Sequence, residues 1–459
     1  MIMRNAKYIL MLLLMATAVT TAMAQVEFVG NTKPVYEEIP ESNTGLNYLF
    51  VLYSAQGVSM TYTATTDPDN VTWYEFGEEG GGSAIDPMTG IQRNGNVTTL
   101  PQVIGDRGYI IKEGDRSTYI WVVDYSKCRL QLNSATVDPE SDCGTAIIHV
   151  EGSGPDVVYY TINGVRRVMN REIKITYNTL EWNSDDERWD EKQVVETEPS
   201  FKNSIAVPAP LCNTTFTVEG DKFLYYWKDE YQNEYQSKTT ESYSATAISV
   251  ETTAVQEERD NDNEQKESGT ALGGSAPVKI TFTAHCTDAV SFKQWQVSDN
   301  ADFNYILMDF SQEEVEYTFE DAGTTYWRFY YANSDGSCED YSETYTVNIG
   351  ISDLFCPNFF SPGTTEGAND VWKVSYKSII DFHCWIYNRW GVLIKEFTDP
   401  SDGWDGTYRG KLVSTGVYFY VIRAKGSDGK QHNKSGDINI LRYEQRSMGG
   451  GGGYDDPVE

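Results

Sequence analysis

Short runs of alternating apolar and polar residues recur along the whole chain, and helical periodicity is nearly absent. Typical runs are VSMTYTATT, TYIWVVDY, EIKITYNTL, PVKITFTAH and GVYFYVIRA, which are bounded by Gly, Asn, Asp or Pro. Because successive side chains of a strand point to opposite faces of a sheet, this pattern predicts β-strands. Aromatic residues make up 13% of the chain, and large flat side chains suit the space between two packed sheets. The sequence therefore predicts an all-β protein built from tandem immunoglobulin-like β-sandwich modules.

Composition and turn signals divide the chain into modules and low-complexity segments. Residues 251–277 contain almost no large apolar side chains, so they predict a flexible acidic linker that cannot offset the entropy cost of ordering. Residues 444–459 hold five consecutive glycines and predict a mobile acidic tail. Four β-sandwich modules are predicted, at 25–127, 128–250, 278–350 and 351–443.

The first 24 residues predict a secretory signal peptide. Arg4 and Lys7 precede the apolar run YILMLLLMATAV, and Ala22 and Ala24 form an A-x-A cleavage site before Gln25. The apolar run is too short to span a bilayer, and no later run is long enough. We therefore expect an exported chain without a membrane span.

The charge of the chain is strongly negative and unevenly placed. The formal net charge is −32, yet residues 351–446 hold twelve Lys and Arg against eleven Asp and Glu, a net of +1. A protein this acidic is not expected to bind nucleic acid, because the phosphates repel it. The last module therefore differs in its chemistry from the modules before it.

Seven cysteines follow the predicted signal peptide. In an exported chain they indicate disulfides rather than metal thiolates. One pair is favoured because each of its cysteines flanks a strand-like run within one module, but the sequence alone does not assign the connectivity. The candidate pairs, in order of preference, are Cys286–Cys338, Cys143–Cys212 and Cys356–Cys384. These pairs leave the thiol of Cys128 over.

No motif for catalysis, metal binding or cofactor binding stands out. A nucleophile-elbow motif G-x-S-x-G is absent near any histidine, and the glycine-rich run at 77–90 lacks the G-K-[ST] of a phosphate loop. The acidic run DNDNE at 260–264 lacks the turn glycine and terminal Glu of a calcium loop. We predict no enzyme, no cofactor and no metal site. The four histidines are scattered, at His149 and His285 in strand-like runs, His383 before a strand and His432 in a loop.

The third module has the strand pattern of a sandwich with a central tryptophan. Trp295 lies in the run FKQWQVS, and two further strands follow in EYTFEDAGTTYWRFYYANSDGSCED. This order resembles the polycystic-kidney-disease (PKD) and related immunoglobulin-like repeats of bacterial surface proteins. The resemblance implies a spacer or adhesive module.

Residues 388–424, NRWGVLIKEFTDPSDGWDGTYRGKLVSTGVYFYVIRA, combine tryptophans and tyrosines with closely spaced glycines. The pattern predicts a strand, a turn-rich connection and a hairpin, in which glycines permit bends and positive φ. Tryptophan and arginine are also common at binding hot spots. The candidate contact or fold-defining residues are Asn388, Arg389, Trp390, Gly391, Trp404, Asp405, Gly406, Gly410, Lys411, Gly416 and Tyr418.

Four motifs follow one another in the last module: LFCPNFFSPGTTEGANDVWKV, IYNRWGVLIKEF, GWDGTYRGKLVSTGVYFYVIRA and GDINILR. Their order resembles the gliding-motility-associated C-terminal domain, the type B sorting domain of the Bacteroidetes type IX secretion system. The resemblance implies export by the Sec route and passage through the outer membrane with this domain as the signal. It implies a cell-surface or secreted destination, and as partners the type IX translocon and an outer-membrane protein of the PorP/SprF type.

The sequence as a whole predicts an exported, non-enzymatic protein with an adhesive, structural or binding role. A host or glycan ligand for the N-terminal modules is left open. One alternative is a component that assists the secretion or gliding apparatus itself. Another is a glycan-acting enzyme on a β-sandwich scaffold, which would need carboxylates that converge in an aromatic cleft.

Overall fold

The structure is a computed structural model that describes residues 26–441 apart from 32, 85, 140, 229–234, 267–270 and 363–368. The predicted signal peptide and tail lie outside the described residues. Nearly all regular structure is β, which confirms the predicted fold class. The chain divides into two compact units: unit 1 comprises Met1–Leu180 with Glu191–Ala245, and unit 2 comprises Glu181–Asp190 with Thr246–Glu459.

Unit 1 begins with a sandwich of two sheets, of orders β1-β4-β7-β6 and β2-β3-β9-β8-β5. The strands are β1 (Val26–Val29), β2 (Tyr36–Glu38), β3 (Tyr48–Leu52), β4 (Ser59–Thr63), β5 (Val71–Phe76), β6 (Gln92–Asn94), β7 (Val97–Leu100), β8 (Arg107–Glu113) and β9 (Arg116–Asp124). Short 3-10 helices lie at Ser42–Thr44, Pro68–Asn70, Gly81–Ser83 and Tyr125–Lys127. The apolar positions of the alternating strands meet between the sheets, where Met60, Tyr62 and Trp73 are buried.

A second sandwich follows in unit 1, with sheets of orders β10-β11-β16 and β15-β14-β17-β18 and the pair β12-β13. Its core is continuous with Trp121 and Val123 of the first sandwich. The two sandwiches therefore share one hydrophobic cluster. The elements are β10 (Gln131–Val137), β11 (Thr145–Ser153), β12 (Val158–Tyr160), β13 (Arg166–Val168), β14 (Ile173–Asn183), β15 (Arg188–Glu198), β16 (Ser204–Pro208), β17 (Thr217–Glu219), the helix α1 (Lys222–Trp227) and β18 (Ser237–Thr239).

A buried ion pair lies at the junction of these two sandwiches. The Arg171 and Asp221 side chains are fully buried, with Nη2 and Nε of the arginine 2.6 and 2.8 Å from Oδ2 of the aspartate. Arg171 also donates to the Cys128 carbonyl oxygen at 2.9 Å, and the Tyr125 hydroxyl lies 3.0 Å from the aspartate. Asp221 Oδ1 caps α1 by accepting from Leu224 N at 3.0 Å. Because a buried charge is tolerated only when it is paired and hydrogen-bonded, the cluster fixes the helix and the junction together.

Unit 2 begins with a third sandwich, with sheets of orders β19-β21-β24 and β20-β27-β25-β22-β23, the latter with β26 added beside β25. Trp295 and Trp327 are fully buried, and the Phe282 ring stacks on Trp327 with centroids 4.3 Å apart. The strands are β19 (Val250–Gln256), β20 (Leu272–Gly274), β21 (Val278–Cys286), β22 (Phe292–Ser298), β23 (Met308–Phe310), β24 (Glu314–Phe319), β25 (Gly323–Ala332), β26 (Glu339–Tyr341) and β27 (Tyr345–Ile349).

The prediction of a flexible linker over 251–277 is wrong for the described residues of that segment. β19 pairs antiparallel with β21 along its whole length, and β20 pairs in parallel with β27. Between them, Asn263 Nδ2 donates to the carbonyl oxygens of Val374 and Pro400 at 2.8 and 2.7 Å. The lack of large side chains was misleading because an edge strand needs little apolar surface once its backbone groups are paired.

The fourth sandwich contains a five-stranded sheet of order β29-β36-β35-β31-β32 and the pairs β28-β30 and β33-β34. Its core includes Trp372, Trp404, Ile386 and Ile438. The strands are β28 (Asp353–Phe355), β29 (Phe359–Phe360), β30 (Ser375–Lys377), β31 (Ile379–Tyr387), β32 (Leu393–Phe397), β33 (Thr407–Tyr408), β34 (Lys411–Leu412), β35 (Gly416–Gly426) and β36 (Gln431–Ile440). His383 lies within β31 and His432 within β36, so the predicted positions before a strand and in a loop are wrong.

Hydrogen bonds join the third and fourth sandwiches within unit 2. Ser378 N donates to Ser275 Oγ at 2.7 Å, and Ala322 N donates to the Ser427 carbonyl oxygen at 3.0 Å. Ser427 Oγ in turn donates to the Gly350 carbonyl oxygen at 2.8 Å. The fourth sandwich is therefore packed against the third.

The predicted disulfide pairs are not formed. Cys143 and Cys338 are each oxidised in a disulfide, whereas Cys128, Cys286, Cys356 and Cys384 keep their thiols. A disulfide needs Cα atoms within about 7 Å, and proximity of this kind cannot be read from the position of a cysteine beside a strand. Cys286 lies opposite Val250 in the β19–β21 ladder. The leftover thiol of Cys128 is confirmed.

Loss of the buried ion pair is expected to destabilise unit 1. Arg171→Met leaves the Asp221 carboxylate buried without its cation, which costs about 3–5 kcal/mol, whereas Arg166→Met removes only an exposed pair with Asp156, worth up to about 1 kcal/mol. Urea unfolding of the mature chain, followed by tryptophan fluorescence, measures both. Equal shifts in the two variants would contradict the assigned role of the cluster.

Acid is expected to weaken the first sandwich through Glu113. Burial alone would raise the pKa of this carboxyl from its ordinary 4.5, but hydrogen bonds from Thr66, Tyr62 and Thr65 outweigh burial and lower the pKa to about 2. A depressed pKa gives stability that is present above pH 4.5 and is lost as the pH falls toward 2. Thermal unfolding over this range should show a steeper loss for the wild type than for Glu113→Gln, and parallel curves would refute the assignment.

Candidate interaction surface of the C-terminal sandwich

The predicted residues 388–391 form the exposed turn between β31 and β32. Asn388 Oδ1 accepts from the backbone N of Trp390 and of Val392 at 3.0 and 2.9 Å, and Gly391 adopts a φ of 80°. The side chain thus replaces backbone partners in the turn, which is why an asparagine suits this position. The Arg389 guanidinium lies 4.2 Å from the Trp390 ring centroid, and Trp390 is 59% exposed.

A second predicted group forms the turns around β33 and β34. Asp405 Oδ1 accepts from Thr407 N and Oγ1 at 3.0 and 2.7 Å. Gly406 has a φ of 78°, and a Cβ there would lie 3.0 Å from the Pro362 ring. Gly410 also has positive φ, in the two-residue turn that joins the strands, and Lys411 begins β34 with its side chain exposed. Gly416 begins β35. These glycines serve the backbone geometry.

Two of the predicted aromatic residues belong to the core instead of the surface. Trp404 is fully buried, and its Nε1 donates to the Thr407 carbonyl oxygen at 2.9 Å. Its backbone also exchanges two hydrogen bonds with that of Trp372. Tyr418 is buried beside it, with ring centroids 5.0 Å apart. Both residues therefore define the fold and cannot contact a partner directly.

The outer face of the five-stranded sheet carries an apolar patch that the sequence analysis missed. Along β35 the side chains of Val417, Phe419 and Val421 are exposed by 44%, 44% and 37%. Across the ladder, Phe419 pairs with Tyr387 and Val421 pairs with Trp385. These five residues are called the outer patch. Within the part of the chain that the structure describes, the outer patch is partly exposed to solvent.

The signal for the outer patch is present in the sequence. In GVYFYVI, residues 416–422, both alternating sets are apolar or aromatic apart from the initial glycine. A strand with one face in water should show polar residues on that face, so apolar residues on both faces indicate that each face contacts something.

Polar groups fix the position of Trp385 in the outer patch. Its ring stacks on His383 with centroids 3.8 Å apart, and its Nε1 donates to Glu396 Oε1 at 3.0 Å. The same carboxylate oxygen lies 2.6 Å from His383 Nε2. The indole is therefore held in one orientation before any partner arrives, which lowers the ordering cost of binding.

Ser352, His432 and Asp428 lie together at the start of this sandwich, but their order differs from that of a catalytic triad. Ser352 Oγ donates to Asp428 Oδ1 at 2.7 Å and lies 2.7 Å from His432 Nε2. In a triad the histidine lies between the serine and the carboxylate. Here the serine is in the middle, and both Ser352 and His432 are buried. Burial and the neighbouring lysines lower the pKa of His432. The arrangement is that of a structural hydrogen-bond network. Among the described residues no three His, Cys, Asp or Glu side chains are grouped as metal ligands.

Two family models match separate parts of the chain. Residues 354–440 match the CHU_C Type IX secretion signal domain, and residues 135–237 match the Fibronectin type III domain. The first covers the fourth sandwich and confirms the resemblance to a type IX sorting domain. It indicates export to the cell surface or secretion. The second falls on the second sandwich, while the PKD resemblance of the third stays a prediction. No helix of the described residues is long and apolar enough to cross a membrane.

No curated protein sequence matches this chain. Solved structures with similarity include three N-terminal domains of the outer capsid protein Hoc of bacteriophage RB49, at 8% identity over 69% of this chain and 100% of that one, with a TM-score of 0.22. A Ca²⁺-stabilized adhesin that helps an Antarctic bacterium bind ice is 13% identical over 90% and 100%, with a TM-score of 0.18. Dimeric latent PorU from Porphyromonas gingivalis is 9% identical over 71% and 35%, with a TM-score of 0.15. At such scores nothing about function follows from these likenesses.

The two tryptophans of the run 388–424 are expected to differ sharply in their effect on stability. Trp404→Ala removes a fully buried indole and should cost about 3–5 kcal/mol. Trp390→Ala, at the exposed turn, should change the unfolding free energy by no more than about 0.5 kcal/mol. Urea unfolding of the two variants tests this. A large loss for Trp390→Ala would mean that the turn supports the fold.

Proposed function

We propose that this protein is a non-enzymatic cargo of the type IX secretion system that is delivered to the cell surface, where its sandwiches bind or adhere. The observation that carries the proposal is the secretion signal domain at 354–440, which follows three other sandwiches. The first three supply separate surfaces for a ligand, and a host molecule or a glycan suits such a location.

The outer patch is the surface that we assign to recognition by the export machinery. Apolar area removed from water contributes about 25 cal/mol per Å², so an open patch on a folded sheet favours a partner that covers it. Trp385 is already oriented by Glu396, and Trp390 and Arg389 are of the residue types that dominate binding hot spots. The partner is an apolar surface of the type IX translocon or of a PorP/SprF-like outer-membrane protein associated with it.

The absence of catalysis is part of the proposal. The buried Ser352 and His432 support it, because a nucleophile must be reachable by substrate and must have a base that is oriented by a third group. Incubation of the purified mature chain with a glycan panel tests it directly. Release of reducing ends would favour the glycan-acting enzyme instead.

Point variants separate recognition from folding better than a truncation does. Deletion of the fourth sandwich would also expose the contacts at Ser275 and Asn263, so the remaining chain could misfold. Phe419→Ser changes an exposed side chain of the outer patch only. Phe292→Ser, at a 56% exposed phenylalanine of the third sandwich, is the matched control.

We expect Phe419→Ser to remain in the periplasm while Phe292→Ser reaches the surface. The measurement is protease accessibility on whole cells of the native host, with each variant compared with the wild type. Surface exposure of Phe419→Ser at the wild-type level would refute the role of the outer patch. If the wild type itself stays inside the cell, the export proposal fails.

A further inference from the structure

Arg328 is held in an unusual way on the outer face of the third sandwich. Its guanidinium lies between two aromatic rings, 4.0 Å from the Phe303 centroid on one side and 3.8 Å from the Tyr341 centroid on the other. Its Nε donates to Gln296 Oε1 at 3.0 Å. The side chain is thus fixed at three points, and within the described residues no carboxylate forms an ion pair with it.

Among the described residues the hydrogen bond of Nε to Gln296 is not accompanied by a partner for either terminal nitrogen of this fixed cation. Arginine binds carboxylates in a bidentate manner through parallel N–H groups, and stacking on rings preorganises its planar fork. Phe303 adopts a φ of 52°, a conformation that is costly for a bulky residue. In this strained conformation the Phe303 ring lies against the guanidinium of Arg328.

The surroundings of the arginine are planar and polar. In the strand register Gln296 lies beside Arg328, and Gln294 lies beside Tyr330, which pairs with Tyr341. Gln296 Nε2 donates to Gln294 Oε1 at 3.2 Å, and the two tyrosine rings are 5.3 Å apart. These five residues are called the Arg328 face. It combines one cation, two amides and two partly exposed aromatic rings.

We propose that the Arg328 face binds a carboxylated sugar, of the uronic acid type, within an acidic polysaccharide. The carboxylate accepts from the terminal nitrogens of Arg328, the sugar ring packs on Tyr341, and the hydroxyls exchange hydrogen bonds with Gln294. A few polar groups that converge beside aromatic surface are the usual composition of a small-ligand site. The inference rests on the proposed surface location only for its biological setting, because the binding itself is a property of the isolated chain.

The net charge of the chain sets a condition for this binding. A charge of −32 repels an acidic polymer at long range, but at physiological ionic strength such repulsion is screened beyond about 8 Å. Contacts at the Arg328 face are shorter than that. We therefore expect binding at about 0.15 M salt, where the screening length is about 8 Å, to be at least as tight as binding at low salt. Ordinary polyanion binding shows the opposite dependence, because it weakens as salt is added.

The experiment is calorimetric titration of the purified mature chain with oligogalacturonate, with its carboxyl-reduced form and with a polyglutamate peptide. We expect oligogalacturonate to bind and the reduced form not to bind. Arg328→Lys keeps the charge but loses the bidentate fork and should weaken binding by about tenfold to a hundredfold, as for one or two charge-assisted hydrogen bonds. Arg423→Lys, which makes the same change at an exposed arginine 5.9 Å from the Trp385 ring, is the matched control and should bind as the wild type does.

Each result decides the proposal. Failure of the wild type to bind oligogalacturonate, or unchanged binding by Arg328→Lys, overturns it. Tighter binding of polyglutamate than of the sugar would assign the face to an acidic peptide and overturn the sugar assignment. Near-UV circular dichroism confirms that the variant is folded. None of these outcomes depends on export, so the proposed surface delivery succeeds or fails separately.

Discussion

Buried indole rings hold the four sandwiches together, and the remaining structure depends on where they lie. Each ring fills the space between two sheets, and a buried indole N–H needs an acceptor. Trp73 Nε1 donates to Thr98 Oγ1 at 3.0 Å, and Trp372 Nε1 donates to the Pro357 carbonyl oxygen at 2.7 Å. A ring whose N–H is paired thereby joins a strand or loop to the core as well as filling it, whereas the buried N–H groups of Trp121 and Trp327 have no acceptor among the described residues. The fully buried tryptophans are Trp73, Trp121, Trp227, Trp295, Trp327, Trp372 and Trp404.

The fold class could be predicted because alternation depends only on the geometry of a strand. The run around Trp295 indicated a ring between sheets, and the structure places it there. Features that depend on distant partners could not be predicted in the same way. β19 lies in a segment with few large side chains, and its stability comes from a ladder with β21. Whether a cysteine keeps its thiol likewise depends on which side chains the fold brings near it.

The candidate surface shows the same division between local and distant causes. The turn at Asn388 and the bends at the glycines follow from local backbone preferences, so they were among the predicted residues. Trp404 and Phe419 could not be separated by residue type, because both are aromatic residues in strand or turn segments. Only the neighbouring sheet makes one of them core and leaves the other exposed. The two-sided apolar run of β35 was the single local clue.

Asn263 and Ser275 contact the fourth sandwich from the segment between β19 and β21 of the third. A passenger protein joined directly to residue 351 would therefore carry the secretion signal domain without the hydrogen-bond partners that Asn263 and Ser275 supply. The carbonyl oxygens of Val374 and Pro400 would lose their amide donor, and the Ser378 backbone would lose its hydroxyl partner. A fusion that begins near Thr246, where unit 2 resumes, would keep these hydrogen bonds.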